Sequence, residues 1–148
     1  MAAYYQMSVG EALRAMRARE VTALQVTESL LDRIYQVDSR VGAYLSVDAE
    51  SARRQAMAAD AARAAGREAP LLGVPVGIKD VLNVQGQPCT CGSKILRGYT
   101  APYDATAVAR LREHGQHGPP DLAPRGAGVQ AQPGQRGVGR AFVQVVHT

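Results

Sequence analysis

The sequence predicts an α/β domain, because helix-starting signals are followed by one strand-like segment and then by another helical stretch. Capping boxes, in which a hydroxyl and a side chain three residues later satisfy free backbone N–H groups, begin at Ser8 and at Thr22. A short apolar run from Gly73 to Asp80 is strand-like, and a helix follows Asp104. With 148 residues, the chain is long enough for one domain.

The helix that starts after Thr22 carries an apolar stripe of helical period, so it is expected to pack one face on a core. Residues 44–47 are predicted to form a short strand. Asp48 can then cap a long alanine-rich helix that ends at about Ala65, and Gly66 is placed to end it in a left-handed turn. The predicted stripe consists of Leu24, Leu30, Leu31, Ile34 and Val37.

Composition excludes several classes of protein. The formal net charge of +4 comes from an arginine-rich and alanine-rich chain, which is weak evidence for a nucleic-acid partner. No apolar run is long enough to span a bilayer, and the N-terminus lacks the basic-then-apolar layout of a secretory signal. The expected location is therefore the cytoplasm, with no membrane partner.

The composition changes after residue 114, which divides the chain into a region 1–114 and a tail 115–148. The tail is rich in Gly, Pro, Gln and Arg and has neither a helical nor an alternating period, so we expect it to be disordered. Its end, 141–148, has the composition of one short strand that lacks a partner and would tend to aggregate. The scattered arginines of the tail have no aromatic interleaving, which disfavours direct nucleic-acid binding.

Lys79 is the candidate catalytic residue of the strand-like run. Only Lys79 and Lys94 are lysines among the 17 basic residues. Arginine stays charged under protein conditions, whereas a lysine in a desolvated place can lose its proton and act as a base. A surface lysine at a strand end is the alternative, since strands commonly end in polar loops.

Three blocks around this lysine carry a family resemblance. They read Gly-Val-Pro-Val-Gly-Ile-Lys-Asp over 73–80, Cys-Thr-Cys-Gly-Ser-Lys-Ile-Leu over 89–96, and Pro-Tyr-Asp-Ala-Thr over 102–106. In this order they resemble the amidase signature family, and within it the A subunits of the aspartyl/glutamyl-tRNA amidotransferases. The resemblance covers roughly residues 8–114, the N-terminal part of a longer layered domain with helices around a mixed sheet. Cys89 departs from the threonine usual in that group.

The resemblance implies catalysis by a Ser-Ser-Lys triad with Lys79 as its lysine. In such a triad the lysine amine takes a proton from a bridging serine, which activates the nucleophilic serine. No serine follows Ser93 in the sequence, and Ser93 belongs to the block before the triad serines. Triad members act as a unit, so this chain alone is predicted to be inactive. The change at residue 114 suggests a shifted reading frame or a broken gene.

The resemblance also implies partners. The A subunits hydrolyse glutamine and supply ammonia for the amidation of misacylated Glu-tRNA(Gln) or Asp-tRNA(Asn). They work with a B subunit, which binds tRNA and uses ATP and Mg, and with a small C subunit. No cofactor is expected in this chain itself. Two alternatives remain open: a piece of a free-standing amidase that acts on small amides, and a non-catalytic fragment that binds a partner through uncovered helix faces.

Around the lysine, several residues are expected to shape or support a site. By resemblance, Thr90, Gly92 and Ser93 lie near the catalytic centre and help to form the substrate pocket, although a tight turn also needs small residues. Asp80 either orients the lysine or holds the loop through hydrogen bonds. Asp104 is expected to be the N-cap of the helix that follows it.

The cysteines and histidines do not predict a metal site. A metal site of ordinary type needs three or four ligands, and Cys89 and Cys91 are the only cysteines. His114, His117 and His147 do not have ligand spacing relative to them. A disulfide between residues so close in sequence is strained, so two free thiols are expected.

Overall fold

The computed structural model describes residues 3–115 and 144–147. A single 3-10 turn, Tyr4–Gln6, precedes the first helix. The predicted helices form, and the strand-like run contains one strand, which confirms the α/β class for the described residues. The elements are α1 (Val9–Arg17), α2 (Ala23–Val41), α3 (Ala49–Ala64), β1 (Pro75–Ile78), α4 (Thr106–Gly115) and β2 (Gln144–His147).

Both predicted capping boxes are present. At the start of α1, Ser8 Oγ accepts a hydrogen bond from Glu11 N at 3.3 Å, and Ser8 N donates to the Glu11 carboxylate at 2.7 Å. At the start of α2, Thr22 and Gln25 make the same reciprocal pair at 3.1 and 2.9 Å. The capping pattern therefore marks the beginning of each helix, because these bonds satisfy backbone N–H groups that have no partner inside the helix.

Asp60, on α3, adds a cap to α2 from outside that helix. Its two carboxylate oxygens accept hydrogen bonds from Ala23 N at 2.7 Å and from Leu24 N at 3.1 Å. These two amides belong to the first turn of α2, where the helix dipole favours a negative charge. Asp60 therefore ties α3 to the start of α2, and no local sequence pattern predicted the contact.

The main core lies between α1, α2, α3 and the segment that leads into β1. Met16 and Leu31 are among the largest fully buried side chains. The face of α3 that meets this core consists of small residues, Ala56 and Ala59, which lets the helices approach closely. The predicted stripe of α2 is buried at Leu31 and Ile34. The core cluster around Met16 also contains Ala12, Val21, Ala23, Val26, Leu72 and Val74.

The connection from α2 to α3 corrects one prediction. Residues 44–47 do not form a strand among the described elements. The backbone amides of Ala43 and Tyr44 instead donate to Asp38 Oδ1, at 2.7 and 3.3 Å, after α2 has ended at the left-handed Gly42. Tyr44 also takes part in a β-bridge, but no strand extends from it over residues 44–47. As predicted, Asp48 caps α3 by accepting from Ser51 N at 2.9 Å.

The sheet of the described residues has two strands. β1 and β2 are antiparallel, with Pro75 opposite His147 and Ile78 opposite Gln144. The apolar end of the chain therefore has a partner, contrary to the expectation that it lacks one. The edge of a strand has backbone N–H and C=O groups without partners. Along this edge of β1, those groups pair with β2. The predicted disorder of the tail otherwise concerns 116–143 and residue 148, which lie outside the described residues.

Within the described part of the chain, no helix combines the length and the hydropathy needed to cross a membrane. α2 is the longest of these helices, with 19 residues, and it alternates a buried face with charged and polar positions. Such a helix is amphipathic, which fits packing on a protein core.

A bidentate ion pair joins α2 to α3. Glu28 accepts from Arg53 Nε at 2.7 Å and from Arg53 Nη2 at 3.0 Å. The hydrogen bond from Arg53 lowers the pKa of Glu28, against a smaller opposing effect of burial. Both side chains are partly exposed, so we expect Glu28→Gln to cost only about 0.5 to 1 kcal/mol at neutral pH.

The pH dependence of that loss follows from the direction of the shift. A carboxyl whose pKa is lower in the folded state stabilises the fold above its unfolded pKa of about 4.3 and loses this contribution as the pH falls through the folded value. Urea unfolding at pH 7 and at pH 3 should therefore show a difference between wild type and Glu28→Gln that shrinks at the lower pH. A difference that grows on acidification would contradict the ion pair.

Candidate functional site

The candidate site lies where β1 ends. Ile78, the last residue of β1, is buried, Lys79 directly after it is exposed, and Asp80 is buried again at 4% exposure. An open cleft of about 280 Å³, a volume that includes open solvent, is lined by Lys79 and Asp80 together with Ser46 and Gln87. Lys79 is exposed, and the other residues that line the cleft include the apolar Ile78, Leu82 and Val84.

Asp80 holds the neighbouring loop through its whole carboxylate. Oδ1 accepts from Thr90 N at 2.6 Å, while Oδ2 accepts from the Thr90 hydroxyl at 2.6 Å and from Gly92 N at 3.0 Å. Its backbone oxygen accepts from Cys91 N at 2.9 Å. Of the two roles expected for Asp80, the hydrogen bonds of this structure correspond to the loop-holding one. A buried carboxylate with several N–H and O–H donors is well satisfied.

The residues that Asp80 binds form a tight turn. Ser93 N donates to Thr90 O at 2.8 Å, and the two central residues, Cys91 and Gly92, have φ values of +50° and +69°. Positive φ at both central positions is typical of a type I′ turn. The Ser93 hydroxyl accepts from Ile95 N at 3.2 Å, so it serves the next bend of the loop. The turn thus brings Thr90 and Gly92 to Asp80, and turns Ser93 toward the chain that follows.

Asp104 does not occupy the predicted N-cap position. α4 begins at Thr106, so the residue before it is Ala105, and Asp104 lies one position earlier. The Asp104 carboxylate instead accepts from Gln85 N at 2.7 Å and lies 3.4 Å from Arg112 Nε. The carboxylate thus binds a backbone amide of the loop after β1 instead of capping α4. Through Arg112 it also links that loop to α4.

Cys89 and Cys91 are free thiols, as expected from their spacing. Cys89 is buried and Cys91 is exposed. Burial raises the pKa of the Cys89 thiol, and the neighbouring Cys91 and Asp80 act in the same direction. Among residues 3–115, no group of three or more His, Cys, Asp or Glu side chains is arranged to hold a metal ion.

Of the site residues named from the sequence, Lys79 and Asp80 line the cleft, whereas Thr90, Gly92 and Ser93 lie on the neighbouring turn and not in its lining. Ser46, from the α2–α3 connection, and Gln87 line the cleft beside Lys79 and were not singled out. Gln87 carried no signal beyond its position between the first two blocks. Ser46 lies beside the cleft because of the path that the chain takes between α2 and α3. No local sequence pattern predicts that path.

The family is decided by comparison with known proteins. A protein-family model described as Amidase matches residues 25–118, which include β1, the loop after it and α4. This chain belongs to the amidase family. The match contains both Lys79 and Asp80, so the cleft and its loop lie inside the region that this chain shares with other amidases.

Two curated relatives show which group within the amidase family the chain resembles. This amidase chain is 50% identical over 115 residues to the A subunit of the glutamyl-tRNA(Gln) amidotransferase of Roseiflexus sp. (strain RS-1), a match that covers 78% of the chain. It is 54% identical over 99 residues, 66% of the chain, to the protein of the same name in Acidothermus cellulolyticus. The matches cover 24% and 20% of those two relatives, so the chain spans about a quarter or less of their length.

Solved amidase structures share the fold. The native peptide amidase of Stenotrophomonas maltophilia superposes with a TM-score of 0.69 at 32% identity, over 76% of this chain and 23% of that one. A chain of a vestigial protein complex that bears on the origins of an s-triazine catabolic enzyme gives 0.70 at 32%, over 74% and 24%. The described part of this chain therefore has the architecture of the corresponding quarter of those two proteins.

Proposed function

We propose that this chain contributes the lysine of an amidase that hydrolyses glutamine and passes the ammonia to misacylated Glu-tRNA(Gln) or Asp-tRNA(Asn). The observation that carries the proposal is the 50% identity to the A subunit of a glutamyl-tRNA(Gln) amidotransferase over the stretch that contains Lys79. In this proposal Lys79 is the base of a Ser-Ser-Lys triad, and the two serines belong to protein segments that this sequence does not contain.

The local geometry supports a fixed position for Lys79. The residue before it, Ile78, is buried with Val84 and Val108 in a small core cluster. The residue after it, Asp80, is buried and bonded to the turn at Thr90 and Gly92. The backbone that carries Lys79 is therefore fixed on both sides, while its exposed side chain keeps its rotamer freedom. Its exposed amine leaves room for the serines of the rest of the catalytic unit.

The partners and cofactors are part of the proposal and rest on the family resemblance. We propose a B subunit that binds tRNA and uses ATP and Mg, a small C subunit, and indirect contact with tRNA. This chain holds no cofactor in the proposal, and Thr90, Gly92 and Ser93 shape the pocket beside the lysine. A cytoplasmic location is part of the proposal, because misacylated tRNA is made where translation takes place.

We expect the purified chain to show no release of ammonia from glutamine, because the triad members act as a unit. Activity should appear when the chain is mixed with the remaining three quarters of the Roseiflexus relative, expressed as a separate polypeptide. Lys79→Ala should then abolish ammonia release, a loss of about 10³-fold or more for a residue of a catalytic triad. Ammonia release is measured by a coupled dehydrogenase assay.

Lys94→Ala is the matched control, since Lys94 is the other lysine of the sequence and is also exposed. It should retain the activity of the reconstituted enzyme. Equal losses in the two variants would contradict a specific role for Lys79. Ammonia release by the chain alone, sensitive to Lys79→Ala, would overturn the predicted inactivity.

A free-standing amidase that acts on small amides is the second candidate. The observation that favours it is the superposition on the Stenotrophomonas maltophilia peptide amidase at 32% identity. Affinity capture distinguishes the two, because only the A subunit of an amidotransferase should retain the B and C subunits. A chain that retains them while the reconstituted mixture stays inactive would indicate a non-catalytic interaction fragment.

A further inference from the structure

The two cysteines of the turn are anchored to one carbonyl group. Cys91 N donates to the backbone oxygen of Asp80 at 2.9 Å, and the Cys89 Sγ lies 3.5 Å from the same oxygen. Only Thr90 separates them in sequence. The Cys89 sulfur and the backbone amide of Cys91 therefore meet at the same carbonyl oxygen, with one residue between the two cysteines.

The two thiols differ in their exposure to solvent. Cys89 is 3% exposed, whereas Cys91 is exposed at the outer corner of the turn. Because burial raises its pKa, the Cys89 thiol keeps its proton and reacts slowly with reagents in solution. An exposed thiol that reacts first, next to a protected one that reacts second, is the arrangement of a peroxide-sensing cysteine and its resolving cysteine.

We propose that Cys89 and Cys91 form a dithiol that peroxide oxidises reversibly to a disulfide. The Cys91 sulfur attacks one peroxide oxygen, the O–O bond breaks and hydroxide leaves, which gives a sulfenic acid on Cys91. The Cys89 sulfur then attacks the Cys91 sulfur, the S–S bond forms, the S–O bond breaks and water leaves. Both thiols have lost a hydrogen atom, and one hydrogen peroxide has become two water molecules.

The position of the pair explains why the oxidation should be reversible and what it would affect. A disulfide across one intervening residue is strained, and strained disulfides are easily reduced. Forming it removes the Cys89 S–H from the Asp80 carbonyl. It also constrains the turn whose Thr90 and Gly92 amides bind the Asp80 carboxylate. The redox state of the pair is thus coupled to the loop beside Lys79.

The test treats the purified chain with hydrogen peroxide and follows free thiols with Ellman's reagent and the 80–94 peptide by mass spectrometry. Wild type should lose both thiols together, its peptide should lose two hydrogen atoms, and dithiothreitol should restore both. In Cys89→Thr, which keeps a hydroxyl donor for the Asp80 carbonyl, a sulfenic acid on Cys91 should accumulate. Dimedone should label this variant several-fold more than wild type.

Cys91→Ser is the second variant, and its Cys89 should stay reduced at peroxide concentrations that oxidise wild type. Disulfide-linked dimers as the main product would overturn the proposal, as would equal dimedone labelling of wild type and Cys89→Thr. The wild-type thiol loss and peptide mass decide the intramolecular disulfide by themselves, so a variant that fails to fold leaves the test intact.

Discussion

Asp80→Ala should lower the free energy of unfolding by about 3 kcal/mol, because it leaves the partly buried amides of Thr90 and Gly92 without their acceptor. The Thr90 hydroxyl loses its partner as well. Hydrogen bonds to a charged group contribute about 1.5 to 3 kcal/mol each, and part of this loss is recovered when water enters. Urea unfolding followed by circular dichroism measures the change.

Asp80→Asn tests the charge and the acceptor geometry of the carboxylate, because it leaves the volume of the side chain almost unchanged. The asparagine fills the same space but presents an NH₂ group where one carboxylate oxygen accepted a bond, so we expect a loss nearly as large. Glu50→Gln is the matched control, since it removes the same charge at an exposed ion pair with Arg54 and should change stability by less than about 0.5 kcal/mol. Similar effects at both positions would refute the loop-holding role of Asp80.

Gly73→Ala should cost about 3 kcal/mol or more through two separate effects. Gly73 has a φ of +80°, a conformation that costs an L-residue about 1 to 2 kcal/mol. A Cβ built there would lie 2.8 Å from the Cβ of Ala23 and 3.4 Å from the Met16 sulfur. Ala23 is fully buried on α2, so the contact cannot relax without moving the helix, and overpacking of this kind costs about 1 to 3 kcal/mol.

Gly66→Ala isolates the first of these effects. Gly66 has nearly the same φ, +81°, but a Cβ there meets no atom within 4 Å. Its loss should therefore stay at about 1 to 2 kcal/mol, and the difference between the two variants in a urea titration reports the contact with α2. Equal losses at Gly66 and Gly73 would show that the segment before β1 does not pack against Ala23.

Elements that begin or end on local chemistry could be predicted from the sequence. The capping boxes at Ser8 and Thr22 and the cap at Asp48 are each built from residues within three positions, so the pattern contains the whole interaction. The predicted strand at 44–47 is absent: the amides of Ala43 and Tyr44 donate to Asp38, and the β-bridge at Tyr44 does not extend into a strand.

The candidate site likewise has some features that the sequence predicts and others that depend on the tertiary structure. Lys79 and the small residues of the turn could be singled out from residue types and from the resemblance. The contact of Asp104 with Gln85 N, in place of the first amides of α4, could not be predicted, because it depends on how two loops meet. The exposure of Lys79 is likewise a tertiary property, since a lysine after an apolar run fits a buried base and a surface residue equally well.

The carboxylate of Asp60 has a consequence for the order in which this domain gains structure. The first turn of a helix ordinarily frays, since its amides have no partners within the helix. Here two of those amides are bound by a side chain of α3, 36 and 37 positions along the chain. The amides of Ala23 and Leu24 can therefore become protected from solvent only after α3 has docked, so we expect them to exchange hydrogen together with the opening of that contact.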